Sequence, residues 1–151
     1  MNTGELQEVY RQQVLEHSRS PHNFGCPADF NRHAQGFNPL CGDKVTVCLT
    51  VSDDKIASLN FEGSGCAISI ASASMMTDAL QGLTVDEAGA LSRQLQNLFR
   101  DGTPLDHEKL NEIRALEGVR SYPSRIKCET LALSTLYAAL NEQHKDRIST
   151  E

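Results

Sequence analysis

The chain contains 151 residues, a length that suits one compact domain built around a single hydrophobic core. Apolar residues make up 39% of it, Trp is absent and aromatic residues reach only 5%, so aliphatic side chains must form that core. The net charge is −6 and the basic residues form no stripe, which argues against a nucleic-acid partner. No apolar stretch approaches the roughly 20 residues of a membrane helix, and the polar N-terminus predicts neither a signal nor a transit peptide. We therefore expect a single cytoplasmic domain over residues 1–151.

The first part of the chain predicts a helix followed by an irregular segment. Apolar and long side chains recur at three- and four-residue intervals over residues 4–20, a pattern that is typical of an amphipathic helix. Pro21 and the turn at Gly25 end this helix. Residues 26–43 are polar and contain Pro and Gly, so we expect a connection there with a short strand near 33–37.

A hairpin and a second helix are predicted next. Residues 44–52 alternate between apolar and polar side chains, which indicates a strand with one buried face. The turn at 52–55 and the pattern over 56–62 predict its antiparallel partner. Residues 63–65 break the strand pattern, and residues 67–80 are rich in Ala, Ser and Met, which favours a helix packed closely on a flat surface.

The rest of the sequence, from Thr84 onwards, predicts further helices. Thr84 and Glu87 have the spacing of a capping box, which would open a helix running to about Arg100. Residues 101–120 suggest a loop and a short helix. Ser124 is a candidate cap for the last helix, and the polar tail at 142–151 is expected to fray.

The order of these elements predicts the fold class. Strands come early and helices come late in the chain, which is typical of an α+β fold. We expect a small antiparallel sheet of about three strands, covered on one face by helices that end with one running to about Asn141.

Five cysteines occur, at positions 26, 41, 48, 66 and 128. Their odd number and the lack of an export signal favour metal ligands, nucleophiles or core residues over disulfides. Cys48 lies in the middle of a predicted strand and is interpreted as a packed or half-exposed thiol. Cys26 is interpreted as a loop cysteine without a special role.

Three of these cysteines lie where side chains from distant segments can meet. Cys41, Cys66 and Cys128 each occupy a predicted loop or helix start, and a helix N-terminus stabilises a thiolate. Asp43 follows Cys41 by two residues, so both side chains can point to one side of a Cys-Gly-Asp turn. Three thiolates and one carboxylate favour Zn²⁺ or an iron–sulfur centre. The spacing matches no general zinc motif, so spacing alone leaves open the alternative of three ordinary core cysteines.

The sequence around each of these cysteines resembles the IscU/NifU-N superfamily of iron–sulfur scaffold proteins. The resemblance covers about residues 6–140 and includes the first helix with the Pro21, Asn23 and Gly25 positions that follow it. Its strongest segments are Asn38-Pro39-Leu40-Cys41-Gly42-Asp43, Gly63-Ser64-Gly65-Cys66-Ala67-Ile68-Ser69, Ala71-Ser72-Ala73-Ser74-Met75-Met76 and Tyr122-Pro123-Ser124-Arg125-Ile126-Lys127-Cys128. The resemblance implies an α+β fold and a metal or cluster site made of Cys41, Asp43, Cys66 and Cys128.

In two features this chain resembles the SufU branch of that superfamily. IscU-type scaffolds carry a histidine immediately before the last cysteine, where this chain has Lys127. SufU-like members also carry an insertion before that cysteine, which residues 98–118 would supply. The branch implies a zinc-dependent sulfurtransferase that accepts persulfide sulfur on Cys41 from a PLP-dependent cysteine desulfurase of the SufS type. Downstream iron–sulfur assembly proteins would be its other partners.

The resemblance also implies how a zinc-bound thiolate becomes available. An attacking thiolate must be both deprotonated and free, so one ligand has to leave the metal while another donor replaces it. Cys41 is the implied leaving ligand and a histidine of the partner is the implied replacement. Two alternatives stay open: a scaffold that builds and transfers a [2Fe–2S] cluster on the same residues, and a metal-free interaction module. Whether the protein counts as an enzyme is also left open.

Residues outside the candidate metal set have mainly structural interpretations. His17 on the first helix is expected to bond a nearby backbone group, and Met75 and Met76 are expected to fill the core. Arg125 has two open interpretations, as a partner of Asp43 or as a surface cation.

Overall fold

The structure, a computed structural model, describes residues 3–39, 42–103, 125–141 and 148–149, with the backbone alone for residues 3–7, 9, 10, 148 and 149. Four helices and four strands are seen in these ranges. In chain order they are α1 (Thr3–Arg19), β1 (Arg32–Asn38), β2 (Asp43–Ser52), β3 (Lys55–Ser64), α2 (Ala67–Leu80), α3 (Val85–Asp101), α4 (Ile126–Leu140) and β4 (Ile148–Ser149). None of the helices in the described ranges is long and apolar enough to cross a membrane. Most of the segment predicted as a loop and short helix, 101–120, lies outside the described residues.

The strands form one sheet in the order β3-β2-β1-β4. Strands β1, β2 and β3 are antiparallel neighbours, which confirms the predicted three-stranded sheet and the α+β class. Strand β4 is parallel to β1 and pairs Ile148 with Gly36 and Ser149 with Phe37. The expected frayed tail is therefore wrong at these two residues, because their backbone groups pair with the open edge of β1.

The β2–β3 hairpin closes through a two-residue turn. Asp53 and Asp54 have φ values of 52° and 63°, and Ser52 pairs with Lys55 across the turn. Two successive residues with positive φ are what a type I′ turn requires, and Asp tolerates this conformation better than most residues. The sequence prediction of a hairpin over these residues is confirmed.

Helices cover one face of the sheet. Helix α4 packs on β1 and β2, α2 packs on β3, and α1 and α3 pack in turn on α2 and α4. Gly36 of β1 allows α4 to pack closely on the sheet, because a Cβ at this position would lie 2.0 Å from Thr135 Oγ1 on α4. Met75 and Met76 are 2% and 3% exposed, which confirms their predicted place in the core.

The ends of two helices can be compared directly with the sequence prediction. The capping box of α3 is present: Thr84 Oγ1 accepts from Glu87 N–H at 3.1 Å, and Thr84 N–H donates to Glu87 Oε1 at 3.0 Å. Helix α4 begins instead behind Arg125 as its N-cap residue, which makes no side-chain capping hydrogen bond. The predicted cap, Ser124, lies outside the described residues.

The second face of the sheet carries a disulfide between Cys26 and Cys48. The segment between α1 and β1 passes beside β3, where Gly25 N–H donates to Phe61 O at 2.7 Å, and it then reaches β1 on the far side of β2. This crossing brings Cys26 over Cys48, whose side chain points away from the helices and is fully buried. The interpretation of Cys48 as a thiol and that of Cys26 as a cysteine without a special role are therefore both wrong.

One carboxyl group lies inside the helical layer. Glu129 on α4 is completely buried, and its two carboxyl oxygens have no hydrogen-bond partner among the described residues. Loss of hydration penalises the charged form, so burial raises the pKa of Glu129 well above its usual range. The side chain faces a small apolar cavity lined by Ser72, Met76, Ala79, Leu80, Leu95, Phe99 and Leu133.

A test of this burial is the substitution Glu129→Gln. The unfolded chain releases the Glu129 proton near its ordinary pKa of 4.5 while the folded protein keeps it, so this group costs stability increasingly as pH rises above 4.5. The amide cannot ionise, so we expect Glu129→Gln to match the wild type near pH 4. Above pH 4.5 its free energy of unfolding should exceed that of the wild type by an amount that grows by about 1.4 kcal/mol per pH unit for as long as Glu129 keeps its proton in the folded protein.

Urea denaturation between pH 4 and pH 8, with a chelator present throughout, measures this difference. Asp29→Asn makes the same carboxyl-to-amide change at an exposed position and should show no such pH-dependent gain. A gap between Glu129→Gln and wild type that is the same at every pH would contradict the assignment.

Candidate metal site

Asp43 begins β2 and is fully buried. The turn before it is closed by Gly42 N–H donating to Asn38 O at 2.8 Å, with Gly42 at φ +73°, a conformation that glycine adopts without strain. The carboxylate faces the start of α2: Oδ1 accepts from Cys66 N–H at 2.8 Å, and Oδ2 lies 3.8 Å from Cys66 Sγ. The first residue of the central strand is thereby tied to the first turn of a helix.

Cys66 is the N-cap residue of α2, which confirms that it opens this helix, whereas β3 continues to Ser64 and the predicted interruption at 63–65 is wrong for its first two residues. Its Sγ accepts from Ser69 N–H at 3.4 Å, and the residue is half-buried. The unpaired N–H groups and the dipole of a helix N-terminus favour negative charge at this sulfur. Cys66 therefore has the surroundings that a metal-binding thiolate needs.

Cys128 completes a group of three. It lies in the first turn of α4, is fully buried and is not disulfide-bonded. One ligand atom from each of Asp43, Cys66 and Cys128 lies within 4.8 Å of the other two. Three of the four residues predicted for the site are thus brought together from β2, α2 and α4. The fourth, Cys41, lies outside the described residues.

The donor set and its spacing fit a tetrahedral metal ion. Zn–S bonds of about 2.3 Å and Zn–O bonds of about 2.0–2.2 Å place neighbouring donors roughly 3.5–3.8 Å apart. The 3.8 Å between Asp43 Oδ2 and Cys66 Sγ has this value already. Two thiols and one carboxylate suit Zn²⁺ or an iron–sulfur centre and leave one position for a further donor.

Positive charge lies at the start of the helix that carries Cys128. Arg125 and Lys127 flank this turn, and both side chains are exposed. Arg125 also makes an interaction within the protein, so both of its interpretations stay predictions. A metal site with several thiolates has excess negative charge. Positively charged side chains close to Cys128 in the sequence would reduce this excess.

Gly65 has a role that the sequence analysis missed. A Cβ at this position would lie 2.4 Å from Asp43 Oδ1, so only glycine leaves room for the carboxylate beside the start of α2. The sequence marked residues 63–65 as an interruption of the strand pattern. It carried no signal that this backbone approaches a side chain 22 positions earlier.

His17 differs from its prediction. Its Nδ1 lies 2.7 Å from Ser74 Oγ on α2, so its partner is a side chain and not a nearby backbone group. The sequence could not indicate this contact because the two residues are 57 positions apart and meet only through the packing of α1 on α2.

Comparisons with known proteins identify the family. The family model described as the NifU-like N terminal domain matches residues 9–145. The iron–sulfur cluster assembly scaffold protein IscU of Streptococcus pyogenes serotype M1 is 38% identical over 148 residues, which is 95% of this chain and 92% of that protein. The zinc-dependent sulfurtransferase SufU of Bacillus subtilis strain 168 is 37% identical over 131 residues, 87% of this chain and 88% of that one.

A solved structure is also similar to this chain in fold and sequence. It is described as an iron–sulfur cluster assembly scaffold protein for the SUF system from Fervidobacterium islandicum AW-1. It is 32% identical, has a TM-score of 0.78, and the match covers 89% of this chain and 98% of that one. The fold and the converging Cys and Asp side chains thus define a member of the iron–sulfur cluster assembly family with a candidate metal site. The chain belongs to the NifU-like N-terminal domain family, the IscU/NifU-N superfamily of iron–sulfur cluster assembly proteins.

The close approach of Gly65 to Asp43 predicts the effect of Gly65→Ala. The added methyl group must displace the carboxylate, so we expect the affinity for Zn²⁺ to fall by about 10–100-fold, the range found when a group that orients a metal ligand is disturbed. Competition with a chromophoric zinc chelator measures this affinity.

Gly89→Ala on α3 is the matched control for this substitution. Its Cβ would meet only Tyr137 at 3.9 Å, an ordinary contact, and Ala favours a helix interior. Zinc affinity should be unchanged in this variant. Equal affinities for Gly65→Ala and wild type would show that the carboxylate position is unimportant for metal binding.

Proposed function

We propose that this protein is a zinc-dependent sulfurtransferase of iron–sulfur cluster assembly, which accepts persulfide sulfur on Cys41 from a PLP-dependent cysteine desulfurase of the SufS type. The observation that carries the proposal is the meeting of the donor atoms of Asp43, Cys66 and Cys128 within 4.8 Å. The Bacillus subtilis relative, named a zinc-dependent sulfurtransferase, and the Lys127 that precedes the last cysteine support this choice within the family.

Cys41 is the natural source of the fourth donor. It lies two residues before Asp43, and two residues of chain span at most about 7 Å. A tetrahedral site that uses Asp43 therefore lies within reach of the Cys41 side chain. A bound zinc ion would supply deprotonation, because a thiol must lose its proton to ligate the metal.

Cys41 is also the best candidate for the sulfur acceptor among the three cysteines of the set. Cys128 is fully buried in α4, and Cys66 is held at the start of α2 by the Ser69 N–H. Releasing either from a metal would disturb a helix end. Cys41 lies between the described ends of β1 and β2, so its release would not disturb the start of α2 or of α4.

The transfer itself is a thiol–disulfide type of exchange. The Cys41 thiolate attacks the terminal sulfur of the desulfurase persulfide, and a bond forms between Cys41 Sγ and that sulfur. The sulfur–sulfur bond of the donor breaks, and its electron pair leaves on the cysteine of the desulfurase as a thiolate. The proton of the donor persulfide stays on the transferred sulfur, so the step needs no added oxidant or reductant.

The second candidate is a scaffold on which a [2Fe–2S] cluster is built and passed to downstream assembly proteins. The Streptococcus pyogenes relative, named a scaffold, is as similar to this chain as the sulfurtransferase is. The same four side chains could ligate a cluster, since thiolates and a carboxylate serve both metals. The two functions differ in the metal that the purified protein holds.

The acceptor role predicts that Cys41→Ala gains no sulfur. After incubation with a SufS-type desulfurase and cysteine, wild type should gain the mass of one sulfur atom while Cys41→Ala gains none. Intact-protein mass spectrometry under non-reducing conditions measures this. Cys41→Ala should keep its fold by circular dichroism, and persulfide formation on it at the wild-type rate would refute the assignment.

Metal content separates the two candidate functions. Protein purified without oxygen should be colourless and contain one zinc per chain if it is a sulfurtransferase. A brown protein with charge-transfer bands and stoichiometric iron and sulfide would support the scaffold instead. In either case Cys66→Ala should lose the metal and melt at a lower temperature, because metal-binding energy also stabilises the fold.

A further inference from the structure

A second group of metal-ligating side chains lies between α1 and α2. His17 is in the last turn of α1, His22 is in the segment that follows, and Asp78 is near the end of α2. One ligand atom from each lies within 4.8 Å of the other two. Asp78 follows Cys66 by 12 positions on the same helix, about 18 Å along its axis, so this group is separate from the Cys and Asp set.

The carboxylate of Asp78 is held in place from two directions. Its Oδ2 lies 2.5 Å from His22 Nδ1, and its Oδ1 accepts from Asn23 Nδ2 at 3.0 Å. Asn23 adopts φ +56° in the turn that follows His22, and its Nδ2 also donates to Thr77 Oγ1 of α2 at 3.0 Å. One ring and one carboxylate of the group are therefore in direct contact.

The ring of His17 is oriented by a hydroxyl group. Its Nδ1 lies 2.7 Å from Ser74 Oγ, and the same hydroxyl accepts from the backbone N–H of His22 at 2.8 Å. Ser74 thus positions both histidines, with ring centroids 4.5 Å apart. A histidine that ligates a metal through one ring nitrogen is commonly held by a hydrogen bond at the other, which is the arrangement that Ser74 offers.

We propose that His17, His22 and Asp78 form a second metal site that binds a divalent transition-metal ion such as Zn²⁺. Two imidazoles and one carboxylate are a common ligand set for such ions. The side chains of His22 and Asp78 are 49% and 39% exposed, so water completes the coordination shell from the open side. The ion joins the end of α1 to α2, and the site is independent of the function proposed for Cys41.

Isothermal titration calorimetry with Zn²⁺ tests this site on the full chain as purified. The variants are His22→Gln and Asp78→Asn, both at exposed positions, and His33→Gln is the control at an exposed histidine of β1. We expect a zinc-binding event in wild type and His33→Gln whose affinity falls at least 10-fold in the other two variants. Equal zinc binding in all four proteins would overturn the proposal.

Nuclear magnetic resonance with Co²⁺ gives a second, direct readout. The paramagnetic ion should broaden the ring resonances of His17 and His22 at substoichiometric amounts and leave those of His33 sharp. Broadening of all three to the same extent would mean unspecific binding and would overturn the proposal. A Cys66→Ala variant should behave like wild type here, which separates this site from the Cys and Asp set.

Discussion

The hydrogen bond from Cys66 N–H to the buried Asp43 carboxylate connects the sheet to the helical layer at one point. A buried carboxylate is costly unless hydrogen bonds compensate for its lost hydration, and here the first turn of α2 supplies such a bond. Gly65 makes the contact possible because any larger residue would occupy the space of the carboxylate. The same contact places a carboxylate oxygen and a thiol side by side at the protein's candidate metal site.

The position of Cys128, the third described residue of that site, depends on how α4 packs on the sheet. Helix α4 can bring Cys128 to the site only because it lies close to β1, and Gly36 provides the necessary space against Thr135. Metal binding at such a junction would stabilise the fold as well as serve the chemistry, since the ligands come from three separate elements. The site and the core are therefore parts of one packing arrangement.

Helix α2 carries residues of both candidate metal sites. Its first turn holds Cys66, its middle provides Ser74 to orient His17, and its last turns carry Asp78. The helix is almost wholly buried, so its position is set by the sheet on one side and by α1 and α4 on the others. Two sets of metal-ligating side chains thus share one rigid support, a geometry that only the assembled domain has.

Local patterns in the sequence determined the hairpin, the capping box at Thr84 and most helix bounds, because strand alternation, turn residues and caps act over a few positions. The resemblance carried by the motifs around Cys66 and Cys128, and not their spacing, implied that these side chains meet near Asp43. Tertiary structure alone decided the Cys26–Cys48 disulfide, the pairing of β4 with β1 and the contact between His17 and Ser74. Each of these contacts depends on how segments far apart in the sequence cross or pack in the folded domain. The spacing of residues within one segment carries no information about that packing.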